Sequence, residues 1–366
     1  MKKKRENDVK KTASKKQIRR KRRRRILIIE LILLLMLLGI LFVWNKFRLI
    51  QWNDIGTIGT NLLDKKTEEI LKGYTTVAIF GVDNRTVGDY EGGNSDSIMI
   101  CSIDNDTKEV KLMSVFRDTY LDIGGGSFRK CNAAYSNGGP EQAIKMLNKN
   151  LDLDIQDYVA VDFKAVVDAV DAVGGIELEV LDSEVEPLNM YIPEIEKVTK
   201  KKGAHVSSGY QTLNGVQALA YCRIRYTAGD DFRRAQRQRT VLSLLVDKAK
   251  SSGPVQLNNL INAIFPEIST SLSIGQCLSL ASAMADYKIT ENIGWPLQPR
   301  TADLGKKGSV VVPCTLYTNV SRAHEFLYKE YEYEPTDEVK AISDKIKNET
   351  GFDENDAVDY ITWENK

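Results

Sequence analysis

The chain has 366 residues, 42% hydrophobic and 28% charged, with 51 Lys and Arg against 50 Asp and Glu. That length suits two domains or one large domain with appendages, and the composition excludes a wholly disordered chain, a collagen-like repeat and a multi-span membrane protein. The formal net charge of +1 hides a division: residues 1–25 hold 15 basic side chains and two acids, Glu6 and Asp8, leaving −12 for the rest.

Residues 1–25 therefore read as a basic tail, and residues 26–44, from Ile26 to Trp44, consist almost wholly of Leu, Ile, Val, Phe and Met. As a helix this run would be about 28 Å long, close to the hydrocarbon thickness of a bilayer. Glu30 is its one charge and sits near the basic end, within reach of the interface. A cleaved signal peptide would carry a shorter apolar run and a small-residue cleavage site. Here Trp44-Asn45-Lys46-Phe47-Arg48 follows instead, so the segment reads as a single uncleaved transmembrane helix. The Arg20–Arg25 run beside it places the N-terminus in the cytoplasm and residues 45–366 outside. Against an apolar helix such a tail is a topology signal and an anionic-lipid contact, not a nucleic-acid site.

Residues 45–73 read as a juxtamembrane connector with a short helix at Lys65–Lys72. Thr76–Phe80, between Gly73 and Gly81, has the texture of a buried strand, and Asp96–Ile103 and Glu109–Val115 form a hairpin around Asp104-Asn105-Asp106-Thr107-Lys108. Pro140 opens a helix with Ala143, Ile144, Leu147 and Leu151 on one face. Tyr158–Val161 is a strand, Asp162 caps a helix that runs to Val170 and stops near Gly174-Gly175, and Ile176–Val180 is another strand. The alternation predicts an α/β fold, an α-β-α sandwich whose central sheet is mixed because of the early hairpin. Residues 74–330 form the main domain and 331–366 a C-terminal helical extension.

All five cysteines (Cys101, Cys131, Cys222, Cys277 and Cys314) lie in the outer part without Cys-x-x-Cys or Cys/His ligand spacing. Buried thiols are the simpler reading, with disulfides left open. Only two histidines are present, and there is no Gly-x-Ser-x-Gly elbow, Walker loop or dinucleotide fingerprint, which excludes His-dependent serine or cysteine hydrolysis and ordinary nucleotide sites.

Arginine placement is the positive signal. From Arg223 to Arg239, 17 residues hold six arginines against Asp230 and Asp231. Asp231 is placed to cap a helix starting at Phe232, whose first turns carry Arg233, Arg234 and Arg237, with Arg234, Arg237 and Gln238 on a shared face. Forked donors crowded at a helix start suit a multiply charged anion such as pyrophosphate. The alternative is a solvated helix face paired with an acidic domain. Asp83 and Asp96, at the ends of successive strands, are positioned to hold Mg2+ beside phosphates or to serve as turn residues. Arg117-Asp118 follows the third strand and points toward the same place. Phe163, Val166, Val167 and Val170, at helical spacing, read as core.

These motifs resemble the LytR-CpsA-Psr family of cell-wall glycopolymer ligases. The resemblance is carried in order by Phe80-Gly81-Val82-Asp83, Ser95-Asp96-Ser97-Ile98, Ser114-Val115-Phe116-Arg117-Asp118-Thr119, Lys130-Cys131-Asn132-Ala133-Ala134-Tyr135, Leu213-Asn214-Gly215, Arg223-Ile224-Arg225 and Asp231–Gln238. It implies a glycopolymer such as teichoic acid or capsule precursor, carried on polyprenyl pyrophosphate and transferred to a peptidoglycan hydroxyl, with polyprenyl phosphate released. It further implies that Asp83 and Asp96 hold Mg2+, or Mn2+ in its place, and that Arg117, Arg223, Arg225, Arg234 and Gln238, with Asp231 beside them, bind the pyrophosphate. Arg117, Arg223 and Arg225 would be catalytic. Asn94, Phe116, Cys131 and Arg233 depart from residues common in the family (Arg, Pro, Ile and Gly). The expected partners are the lipid-linked polymer, peptidoglycan and membrane lipids, not nucleic acid. Simple pyrophosphate hydrolysis and non-enzymatic capture or regulation of an anionic wall polymer are the alternatives.

Overall fold

The computed structural model describes residues 28–39, 41–83, 90, 93–225 and 230–358. The basic tail, Ile26 and the last eight residues of the C-terminal segment fall outside them. The chain divides into two units, Met1–Leu49 and Ile50–Lys366. In the first, helix α1 (Ile28–Phe47) is long and apolar enough to cross a membrane and ends three residues beyond Trp44, where the apolar run was expected to stop.

In the second unit, β1 (Gln51–Trp52) precedes α2 (Lys65–Lys72), whose N-cap Asp64 accepts hydrogen bonds from the Lys66 and Thr67 backbone N–H groups. Strands β2 (Tyr74–Asp83), β3 (Asn94–Asp104) and β4 (Glu109–Val115) follow as an antiparallel meander. At the β3–β4 turn Asp104 Oδ1 accepts from the Asp106 and Thr107 N–H groups, a turn-forming role that agrees with reading these acids as turn residues. A small ribbon, β5 (Tyr120–Asp122) and β6 (Phe128–Lys130), leads into α3 (Ala133–Leu151). Gly138 and Gly139 interrupt α3 (φ −169° and 64°), so its regular part opens at Pro140.

Then come β7 (Asp157–Val161), α4 (Phe163–Ala172), β8 (Ile176–Val180), α5 (Asp182–Thr199), β9 (Gly209–Leu213), α6 (Gly215–Arg223) and α7 (Asp230–Ser251). The chain continues through α8 (Pro254–Ile264), β10 (Ile268–Thr270), α9 (Ile274–Ser282), β11 (Lys288–Trp295), β12 (Pro299–Asp303), β13 (Ser309–Pro313), α10 (Leu316–Tyr328) and α11 (Asp337–Thr350).

Among the described residues, seven strands form the central sheet in the order β1-β10-β7-β2-β3-β4-β11, with parallel and antiparallel pairs mixed. Ile176–Val180 does not continue this sheet. As β8 it pairs with β9 in a separate ribbon, because α5 intervenes and β9 returns beside it.

Alternation along β2 sorts its side chains by face. Ala78, Phe80 and Val82 enter the main core, to which α3, α10 and α11 also contribute, including Val339, Ile342 and Ile346 from the C-terminal segment. Ile79 and Gly81 turn to the other face, covered by α4 and α7. Asp162 caps α4 through the Ala165 N–H at 2.9 Å, as its position predicted. All five cysteines are free, and Cys131, Cys222 and Cys314 are buried; burial pushes the Cys222 thiol up to about 12 and the Cys314 thiol up to about 11.

Candidate active site

The site forms where strand ends meet the start of α7. The β2–β3 register shifts between Gly81↔Ser97 and Val82↔Ser95, which leaves Asp96 as the extra residue of a β-bulge. A bulge re-aims its side chain, and here it turns Asp96 toward α7. Gly81 sits opposite: a Cβ there would lie 2.9 Å from the Cβ of Ser97. The loop after β4 carries Arg117, and its neighbour Phe116 packs edge-to-face on Phe232 of α7, with ring centroids 4.5 Å apart. That aromatic contact ties the Arg117 loop to the first turn of α7.

One carboxylate organises the cluster. Asp96 Oδ1 accepts from Arg117 Nη1 at 2.8 Å, Oδ2 accepts from Arg234 Nη2 at 2.8 Å, and Arg225 Nη2 lies 3.6 Å from Oδ2. Helix α7 starts at Asp230, so Asp231 lies inside its first turn instead of capping a helix that begins at Phe232. From there Asp231 Oδ1 approaches Arg117 Nε at 3.6 Å and Arg234 Nη1 at 3.8 Å. Arg117 Nε and Arg234 Nε and Nη1 are buried and have no hydrogen-bond partner among the described residues. Arg223, at the end of α6, lies over the rings of Phe163 and Tyr191, 4.9 and 5.2 Å away, and reaches Glu194 at 3.3 Å.

The electrostatics follow from this crowding. Burial acts to raise the pKa of Asp96, but the guanidinium groups of Arg234 and Arg117 outweigh it and hold the carboxyl below the usual range. Burial also raises Asp83, at the end of β2, and the charge of Asp96 adds to that; Arg223 and Arg234 oppose it without cancelling it. Desolvation lowers the pKa of Arg234 from its ordinary value.

Beneath this charged mouth lies a crevice open to solvent, lined by Ile79, Met99, Phe163, Val166, Leu242 and Leu245 among others. Down α7, Arg234, Gln238, Val241, Leu242 and Leu245 all line it, so one helix face passes from charge to hydrocarbon. Phe163 and Val166, read from sequence as core, pack partly buried against the core cluster that holds Val167 and Val170, and they also line this crevice. Residue spacing alone could not separate the two pairs. The change from Arg to Leu along one face of α7 was the available signal.

Of the residues singled out from sequence, Asp96, Arg117, Arg225, Arg234 and Asp231 are joined by the contacts above. Arg223 and Gln238 line the crevice, and Asp83 feels the charges of Asp96, Arg223 and Arg234. Arg237 does not join them. It donates from Nε to Glu184 Oε1 at 2.8 Å and from Nη1 to the Ile224 carbonyl at 3.2 Å, in a second crevice on the other side of α7 that Arg233 also lines. The shared face expected for Arg234 and Arg237 is therefore split. A step of three residues leaves side chains about 60° apart, enough for different partners to claim each. Arg239 is buried and bonds Asn292 Oδ1 at 2.9 Å.

Among the described residues, no three His, Cys, Asp or Glu side chains gather as a metal site. The Asp83/Asp96 pair fits the oxygen-donor chemistry of a hard divalent cation: one carboxylate is held ionised by arginines, and the other is raised first by burial and then by the charge of Asp96, which a cation would offset.

Residues 57–297 match the model of the LytR_cpsA_psr family. The chain is 31% identical over 200 residues to the polyisoprenyl-teichoic acid–peptidoglycan teichoic acid transferase TagV of Bacillus subtilis, a match covering 53% of this chain and 49% of TagV. It is 36% identical over 176 residues to the regulatory protein MsrR of Staphylococcus aureus, covering 47% of this chain and 48% of MsrR. The chain thus spans about half the length of each of these relatives. The crystal structure of protein gbs0355 from Streptococcus agalactiae superposes with a TM-score of 0.61 at 25% identity, covering 75% of this chain and 93% of that one.

Proposed function

The chain belongs to the LytR-CpsA-Psr family, and we propose that it is a membrane-anchored phosphotransferase that moves a glycopolymer from a polyprenyl-pyrophosphate carrier to a peptidoglycan hydroxyl. The observation that carries this reading is the sharing of one carboxylate, Asp96, by Arg117, Arg225 and Arg234 at the mouth of an apolar crevice. Such a mouth favours added negative charge, and such a crevice favours a hydrocarbon chain attached to it. The name of TagV, a teichoic acid transferase, supports the same class of reaction.

In this reading α1 is the anchor, the N-terminus is cytoplasmic and the second unit works outside the membrane. The polyprenyl chain lies along Ile79, Phe163, Val166 and Leu245, and the pyrophosphate meets Arg117, Arg223, Arg225, Arg234 and Gln238. An acceptor hydroxyl oxygen attacks the phosphorus on the polymer side, and the bond from that phosphorus to the bridging oxygen breaks. Polyprenyl phosphate leaves, and the hydroxyl proton is released to solvent. The polymer ends joined to the acceptor by a phosphodiester. The arginines gain most where charge builds on the bridging oxygen and the equatorial oxygens, a stabilisation by positioning and charge. Asp83 and Asp96 would hold Mg2+, which when bound supplies further neutralisation of the phosphate oxygens.

The test uses the full chain in proteoliposomes with a lipid-linked teichoic acid precursor, peptidoglycan and Mg2+. Wall-linked polymer is the expected product, and Arg117→Ala abolishes it. Release of free polymer phosphate would mean that water is the acceptor. Full activity of the Arg117→Ala protein would sink the assignment.

A further inference from the structure

We infer that the outer face of α9, with Trp52 of β1 beside it, docks on the surface of the lipid bilayer as a contact additional to α1. This rests on the reading of α1 as a membrane anchor. Helix α9 (Ile274–Ser282) has the sequence IGQCLSLAS, without one charged residue in a chain that is 28% charged, and none of its residues is buried. Ile274, Leu278 and Ala281 fall at i, i+4 and i+7 and are all exposed, Leu278 at 44%. Inward, Leu280 packs beside Ile103, Val110 and Leu112. Leu280 and a hydrogen bond from Gln276 Nε2 to Asp157 Oδ2 (2.7 Å) hold the helix, which presents an apolar stripe outward.

The connectivity of the chain identifies what covers that stripe. Helix α1 ends at Phe47 and β1 starts at Gln51, and the three residues between them reach about 10 Å at full extension. A bilayer that holds α1 therefore keeps β1 near its surface. β1 in turn is stitched to β10: Trp52 pairs with Thr270, and the Asn53 N–H donates to the Thr270 carbonyl at 2.9 Å. Ser273, three residues on, caps α9 by accepting from the Gln276 N–H. The first strand after α1 in the chain and the start of the uncharged helix are thus tied to one edge of the sheet.

The chemistry fits a headgroup–acyl boundary. Trp52 is 39% exposed, and an indole at that depth is a usual interfacial anchor. The polar residues of α9 are Ser and Gln, which shallow immersion does not force to give up a charge. Helix α8, which precedes β10 in the chain, also lacks charge and leaves Val255 74% exposed.

The experiment reads tryptophan quenching by brominated phospholipids, with the full chain in phosphatidylglycerol–phosphatidylethanolamine nanodiscs. Leu278→Trp and Ile274→Trp are compared with Tyr210→Trp, a control on β9 where the native ring is 73% exposed. Both α9 variants are expected to add emission that brominated lipid quenches at least twofold more than the emission added by the control. Equal quenching at all three positions, with native Trp44 still quenched, overturns the docking surface and leaves the anchor standing. Trp44 itself escaping quenching would remove the anchor and this inference together. Protection of Leu278→Trp that depends on protein concentration and not on lipid would assign the stripe to a second copy and overturn the bilayer assignment.

Discussion

Arg234 and Arg237 lie one turn apart on α7 and meet opposite circumstances. Arg237 has its own carboxylate, Glu184, with a carbonyl and the Tyr221 ring as further partners, and both members of the ion pair are buried. Arg234 is as deeply buried, yet it shares Asp96 with two other arginines, and among the described residues its Nε and Nη1 have no hydrogen-bond partner. Arg237 has a short, dedicated ion pair, whereas Arg234 divides Asp96 with Arg117 and Arg225 and meets its other carboxylate, Asp231, only at 3.8 Å. The first arrangement locates structure. The second, in the proposed function, leaves charged donors available to an anionic substrate.

The sharpest break of that comparison is to remove each arginine. Arg234→Ala should lower transfer activity by about 10²–10³-fold, as the loss of a preorganised oxyanion donor does, with little effect on folding. Arg237→Ala should do the reverse: it leaves Glu184 buried without a cation and costs about 3–5 kcal/mol of stability, while activity per folded molecule is kept. The double variant Glu184→Leu, Arg237→Met should recover most of that stability. Chemical denaturation and turnover on the same preparations measure both. Loss of turnover per folded molecule in the double variant would erase the distinction between the two sides of α7.

Asp83 gives the next largest effect and a sign to check. Its folded pKa lies above the usual 3.8, first because of burial and then because of Asp96. The folded chain holds that proton longer than the unfolded chain, so ionising Asp83 costs stability, and the cost is recovered as pH falls through the folded value. Asp83→Asn should therefore raise stability slightly at neutral pH while lowering activity about 10²-fold. In the wild-type protein the acid limb of activity should begin above pH 3.8. A variant that loses both stability and activity would make Asp83 structural. Asp96 behaves oppositely: its pKa is depressed, so its stabilising contribution is present above the unfolded value and disappears as pH falls through the lower folded one.

The apolar side of the site predicts a milder change of a different kind. Val166→Trp fills part of the crevice and should raise the KM for a long-chain lipid substrate about tenfold with kcat nearly unchanged, because the chain is bound alike in ground and transition states. A substrate with a truncated lipid should be almost indifferent to the substitution. Equal losses on long and short lipids would place the hydrocarbon elsewhere.

How far the sequence carried depended on the range of the forces involved. The Lys65–Lys72 helix, the β3–β4 hairpin and the Asp162 cap were legible because their signals are local: an N-cap, a turn of alternating acids, a side chain three residues from the N–H it bonds. The outer strands of the sheet were not, since β1 and β10 have two and three residues and gain their identity only by pairing. In the site, Asp96 and Arg117 announced themselves at strand ends. The fate of Arg237 did not, because it is set by Glu184, 53 residues away in sequence. That Phe163 and Val166 line the crevice as well as packing on the core likewise depends on the distant residues of α7 that line it with them.

The smallest effect concerns the tie between the two halves of the site. The Phe116 ring meets Phe232 at 80°, between the loop that carries Arg117 and the turn that carries Asp231 and Arg234. Phe116→Leu keeps the site apolar but loses the edge-to-face contact, worth about 0.5–1.5 kcal/mol. If that contact only adds stability, the loss appears in the melting temperature and nowhere else. If it sets the spacing of Arg117 and Arg234 across Asp96, kcat should fall several-fold while KM for the lipid substrate stays constant, since the apolar crevice is untouched. Phe232→Leu should then produce the same loss, and the double variant little more than either single change, because each removes the one contact. Additive losses in the double variant would show that the rings act independently and that the alignment of the two arginines depends on Asp96 alone.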